Sequence, residues 1–114
     1  MKNDFGGHDN HHFNNVYGYT GGGIGVTGTL DGHEDYFYDN KLVTLGSDVG
    51  GFTCSGTGKT VIYGNEYFTP SGGITECKMP LAKWQAKGED KGSTVAKLPS
   101  DATIIGWAKE LLGF

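Results

Sequence analysis

Apolar side chains in residues 1–80 come in short runs that alternate with polar ones, as in Thr60-Val61-Ile62-Tyr63, Glu66-Tyr67-Phe68 and Lys41-Leu42-Val43. Runs this short, rich in β-branched and aromatic residues and punctuated by Gly, Asn, Asp and Ser, predict brief strands joined by tight turns. The runs recur in order. Asn15 lies in Phe13-Asn14-Asn15-Val16-Tyr17, Asn40 in Tyr38-Asp39-Asn40-Lys41-Leu42 and Asn65 in Tyr63-Gly64-Asn65-Glu66-Tyr67, at a spacing of 25. Self-similarity at such a period marks a stacked architecture, in which each repeat buries its apolar face on the next.

With the Asn as register marks, three coils run over about residues 7–31, 32–56 and 57–80. Each has a strand before the Asn and another after it. A third follows a Gly-rich corner: Ile24-Gly25-Val26, Phe52-Thr53-Cys54 and Ile74-Thr75-Glu76-Cys77. Val26-Thr27-Gly28-Thr29 and Cys54-Ser55-Gly56-Thr57 match at a spacing of 28, so the corners absorb insertions. Three short strands per coil predict an all-β parallel β-helix, each strand pairing with its counterpart ~4.8 Å away in the next coil. Asn15, Asn40 and Asn65 then read as a structural ladder, their amides bonded from coil to coil inside a bend.

Residues 81–114 break the period, which divides the chain into coils over 1–80 and a C-terminal loop and capping helix over 81–114. Leu81–Ala86 predicts one or two helical turns. Ser100 reads as an N-cap, Asp101 as a first-turn acid and Gly113 as the C-terminal stop. Between them Ile104, Ile105, Ala108, Leu111 and Leu112 form an apolar face. This amphipathic helix is expected to cover the C-terminal end of the stack, with Trp84 and Trp107 packed beneath the cap.

Composition narrows the function classes. The net charge is −4, and nine Lys are scattered with no Arg, which excludes a nucleic-acid footprint. No apolar run reaches the ~18 residues of a membrane span, and the polar start carries no signal-peptide pattern. Gly7-His8-Asp9 already matches Gly32-His33-Glu34, so the chain is expected to be a fragment of a longer parent or a unit needing a neighbour at its N-terminal end. Cys54 and Cys77 lie nearly one coil apart, which leaves open a disulfide and two buried thiols. Gly58-Lys59-Thr60 echoes a phosphate loop, but a strand is expected after it and the first Gly is misplaced, which argues against nucleotide binding.

The Asn-centred coils, with Leu81-Ala82-Lys83-Trp84-Gln85-Ala86-Lys87-Gly88-Glu89-Asp90-Lys91-Gly92-Ser93 after them, resemble the end of a secreted right-handed parallel β-helix of the pectin-lyase-like superfamily. The resemblance implies about three coils of that fold, an extracellular or cell-surface setting, and a polysaccharide as partner. Superfamily enzymes carry acidic residues and a basic group in a groove along the middle coils. No such set maps onto this chain, so no catalytic residue is assigned and enzyme activity stays open.

Two candidate patches remain. The repeated phrase would stack His8 on His33 and Asp9 on Glu34, a polar corner able to bind a divalent metal or to act as acid and base, or simply a solvated bend. No cofactor signature is present, and a divalent cation such as calcium is compatible with these residues. Tyr17, Tyr19 and Tyr36 are candidates for stacking on sugar rings. The expected function is an extracellular β-helix module associated with polysaccharide binding or processing. The alternative is a structural unit that self-associates end to end through open strand edges.

Overall fold

The computed structural model describes residues 2–3, 8–26, 30–51 and 60–114. These form β1 (Lys2–Asn3), β2 (His11–Phe13), β3 (Val16–Thr20), β4 (Ile24–Val26), β5 (Asp35–Tyr38), β6 (Lys41–Thr44), β7 (Gly50–Gly51), β8 (Thr60–Tyr63), β9 (Glu66–Thr69), β10 (Thr75–Glu76), β11 (Met79–Pro80), α1 (Leu81–Ala86), β12 (Thr94–Lys97) and α2 (Asp101–Leu112). The chain is mostly β, with three parallel sheets ordered β1-β4-β7, β2-β5-β8 and β3-β6-β9-β12, and it ends in a helix. Among the described residues no helix is long and apolar enough to cross a membrane.

The register follows the Asn spacing. His11 pairs with Tyr36 and Tyr36 with Val61; Val16 pairs with Lys41 and Lys41 with Glu66. Between the two strands of each repeat the backbone turns through a left-handed residue, at Asn14 (φ 54°), Asp39 (φ 53°) and Gly64 (φ 66°). Asn, Asp and Gly are the residues that tolerate this conformation, and the ladder Asn follows directly. The same device recurs at Gly92 (φ 73°), just ahead of Ser93.

Inward positions fill two clusters. Ile24, Phe37 and Ile62 form one, with Tyr17 and Cys77 against it; Leu42, Val49, Tyr67, Ile74 and Leu81 form the other. Each such side chain contributes roughly 1.5–3 kcal/mol by leaving water.

The third strand position departs from expectation. The second repeat has Gly50–Gly51 there, and the match drawn through Cys54 lies outside the described residues. In the last repeat Thr75-Glu76 instead forms an antiparallel hairpin with Met79-Pro80, joined to the preceding layer by a bridge from Asp48 to Thr75. Nor is 81–114 merely a cap. After α1 the chain rejoins the stack as β12, with Thr94 opposite Glu66 and Val95 opposite Tyr67.

Ser100 caps α2, its Oγ accepting from the Thr103 amide at 3.2 Å, and Gly113 ends it at φ 80°. The helix lies along the outer face of the β3-β6-β9-β12 sheet rather than over the end of the stack. Ile104 packs near Gly18, and Trp107 lies 5.0 Å from Phe68, ring to ring. Val43, which alternates with the inward Leu42, is fully buried too, so this sheet is covered on both sides. The apolar and small residues on that outer face give the helix a surface to bury, which explains the placement.

Candidate functional site

The ladder forms. Asn15 donates its backbone N–H (3.0 Å) and Nδ2 (3.1 Å) to Oδ1 of Asn40, and Asn40 donates the same pair to Oδ1 of Asn65 at 3.0 and 3.3 Å. The rung below Asn65 is Ser93, whose Oγ accepts the Asn65 amide at 2.8 Å. Ser93 in turn donates to Asp90, while Gln85 Nε2 bonds the carbonyls of Asp90 (3.0 Å) and Ser93 (2.8 Å). Gln85, Asp90 and Ser93 thus carry the ladder on from Asn65.

The polar corner assembles in part. Nδ1 of His8 and Nδ1 of His33 both lie on Oδ2 of Asp9, at 2.8 and 2.9 Å. These hydrogen bonds hold the Asp9 carboxyl below its ordinary pKa. Glu34 is half-buried and is not one of the three clustered groups.

The proposed sugar-stacking tyrosines separate. Tyr17 is partly buried against Phe37, at 5.8 Å between rings, and burial raises its pKa. Tyr19 sits at a β-bulge with φ 55°, a costly conformation for a bulky residue, and turns its hydroxyl onto Asp101 at the start of α2. Only Tyr36 joins an outer aromatic surface, stacked on His11 at 4.3 Å; beside it Phe13, Tyr38 and Tyr63 form a second column at 5.2 and 4.8 Å. Within each column the rings are nearly parallel, so they turn their faces to one another and their edges to solvent. That geometry leaves little ring face for a sugar.

An open cleft of about 570 Å³ lies elsewhere, between α2 and the neighbouring sheet. Trp107 and Leu111 supply apolar wall; Asn14, Asp39, Lys41 and Glu110 supply polar groups. Lys41 Nζ lies 5.2 Å over the Trp107 ring and is ion-paired with Glu66. Trp107 is therefore not beneath an end cap, and Trp84 is half-buried with its Nε1 lacking a hydrogen-bond partner. The signal for Trp107 was present: Ile104, Trp107, Ala108 and Leu111 follow the i, i+3, i+4, i+7 spacing of a single helix face. The expected face through Ile105 and Leu112 lies to one side, and both are exposed.

Sequence reasoning also missed a buried acid cluster. Tyr67 donates to Asp90 Oδ2 at 2.8 Å inside the core, and Glu76 is fully buried beside them. Neither Glu76 oxygen reaches hydrogen-bond geometry with a neighbour. Burial, and after it the Asp90 carboxyl, pushes the Glu76 pKa up to about 10, so it is a neutral acid at pH 7. Burial likewise pushes the Tyr67 hydroxyl well up. No short-range signal marks this cluster, because its members are brought together only by the stacking.

Cys77 is disulfide-bonded, and its expected partner Cys54 lies outside the described residues. Comparison with protein-family models, curated proteins and solved structures found no match.

Proposed function

We propose that the chain folds as a right-handed parallel β-helix that binds a polysaccharide in the cleft beside Trp107. Support for the fold is that successive strands return to the same sheets in the same order, at offsets near 25 residues. A right hand is the strong preference for parallel crossovers.

The observation that carries the binding reading is the cleft itself. Although Lys41 and Phe68 lie against its ring, Trp107 with Leu111 gives the cleft an apolar side, and the amide and carboxylate groups of Asn14, Asp39 and Glu110 line the rest, a mix that suits a sugar with its apolar C–H groups and rim of hydroxyls. The Cys77 disulfide supports an extracellular setting, where such bonds persist. Binding, rather than turnover, is the proposed role.

Titration of the full chain with a panel of neutral and acidic polysaccharides, followed by Trp fluorescence and affinity electrophoresis, tests this. At least one glycan is expected to retard the chain, and Trp107→Ala to weaken that effect at least about tenfold, in line with loss of an aromatic anchor. Binding unchanged by Trp107→Ala, or absent across the panel, contradicts the reading.

A second reading, self-association, has its own observation. Among the described residues β2 and β3 each pair on one side only, and Phe13, 48% exposed, ends its ring column. Such edges are templates for another chain. Sedimentation velocity over a wide concentration range separates the readings: a strictly monomeric chain removes this one.

A further inference from the structure

We infer that His8, Asp9 and His33 form a transition-metal site that clamps the first repeat to the second. The inference is independent of the polysaccharide reading. Its two imidazoles come from equivalent positions 25 residues apart, with His8 and Asp9 just before β2 and His33 just before β5.

Three donor atoms, Nδ1 of each imidazole and a carboxylate oxygen of Asp9, all lie within 4.8 Å of one another. A tetrahedral ion with bonds of about 2.0–2.1 Å holds its ligand atoms ~3.3 Å apart. To admit one, the two His–Asp separations, 2.8 and 2.9 Å, open by a few tenths of an ångström, and the two Nδ1 atoms, within 4.8 Å of each other, settle at the same spacing. The side chains are 51–58% exposed, so small rotations accomplish this without disturbing the core. The imidazole rings lie 5.3 Å apart, edge to face, with both Nδ1 atoms already directed at the Asp9 carboxylate.

The chemistry selects the ion. Two imidazoles and one carboxylate suit zinc, copper or nickel, whereas calcium takes roughly six to eight oxygens. Neutral imidazole binds through Nδ1 once its proton sits on Nε2, so each ring exchanges its hydrogen bond to Asp9 for a metal bond. Three protein donors leave at least one coordination position for water or an incoming ligand, as in sites that act on exogenous groups. The other two histidines are engaged differently: His11 stacks on Tyr36 and meets Tyr38 Oη at 3.3 Å, and His12 is half-buried.

Titrating the full chain with Zn²⁺ by calorimetry, and with Co²⁺ by its ligand-field spectrum, tests the inference. One ion per chain is expected, with a rise in melting temperature that EDTA reverses. His8→Ala, His33→Ala and Asp9→Asn should each weaken Zn²⁺ binding at least about tenfold, and His11→Ala should leave it unchanged. Ca²⁺ should give no saturable heat. Circular dichroism establishes that each variant is folded, and His33→Gln serves as the milder replacement if His33→Ala is not. The inference is overturned if no saturable Zn²⁺ binding occurs. It is equally overturned if binding survives His8→Ala and His33→Ala, or is lost to the same extent in His11→Ala.

Discussion

Asn40 shows how much one side chain carries in this architecture. Its Oδ1 takes two hydrogen bonds from Asn15, its Nδ2 reaches the His12 carbonyl at 2.9 Å and Asn65, and the residue is 1% exposed. Asn40→Ala strands these buried partners and should cost about 2–4 kcal/mol in denaturant unfolding, since each unmet buried group costs ~1–3. Asn15→Ala, half-buried at the end of the ladder, should cost less than half as much. Equal effects would contradict the ladder as a directional chain of bonds. Glu76 makes the opposite point. With its folded pKa near 10 and an unfolded one near 4.5, only the folded state holds the proton between these values. Stability therefore falls as pH rises through that window, by up to ~1.4 kcal/mol per unit. Glu76→Gln should flatten the decline between pH 6 and 9 and raise stability at pH 8 by more than about 1 kcal/mol. Urea unfolding across pH measures both, and an unchanged slope would contradict a buried neutral acid. The Asn positions were legible because a repeated polar residue leaves a spacing. Glu76 and Asp90 left none, because their meeting depends on a hairpin and on a return to the sheet.

Elements are set by turns as much as by strands. A left-handed residue precedes each ladder position, and at Gly64 an added Cβ would also meet Asp39 Oδ1 at 2.4 Å. Gly64→Ala should thus cost more than about 1 kcal/mol, with thermal unfolding as the check; a neutral substitution would contradict the strained corner. β2, β3, β5, β6, β8 and β9 were readable from alternation and the repeat of 25. β12 was not, because it is short, mostly exposed, and offset from β9 by 28 after an intervening helix. The extent of α2 was readable from Ser100 and Gly113, which cap it through local bonds. Its position was not, because which sheet it covers depends on outward residues such as Phe68 and on the bare surface at Gly18.

At the scale of the whole molecule, the Asn ladder runs on into the bonds of Ser93, Asp90 and Gln85, and a helix packs against the four-stranded parallel sheet. Cys77 is held in a disulfide. Its reduction should lower stability by about 3 kcal/mol, measured as a shift in the unfolding midpoint with and without reductant; no shift would contradict a structural disulfide. α2 both completes the packing of one sheet and builds the wall of the cleft, so the fold and the proposed binding surface share Trp107. The most direct measurement is an amide and side-chain NMR titration of the full chain with a polysaccharide it retains. The account predicts shifts concentrated at Asn14, Asp39, Lys41, Trp107 and Glu110. Shifts confined to the outer rings at His11, Tyr36 and Tyr38, with Trp107 unmoved, would contradict it.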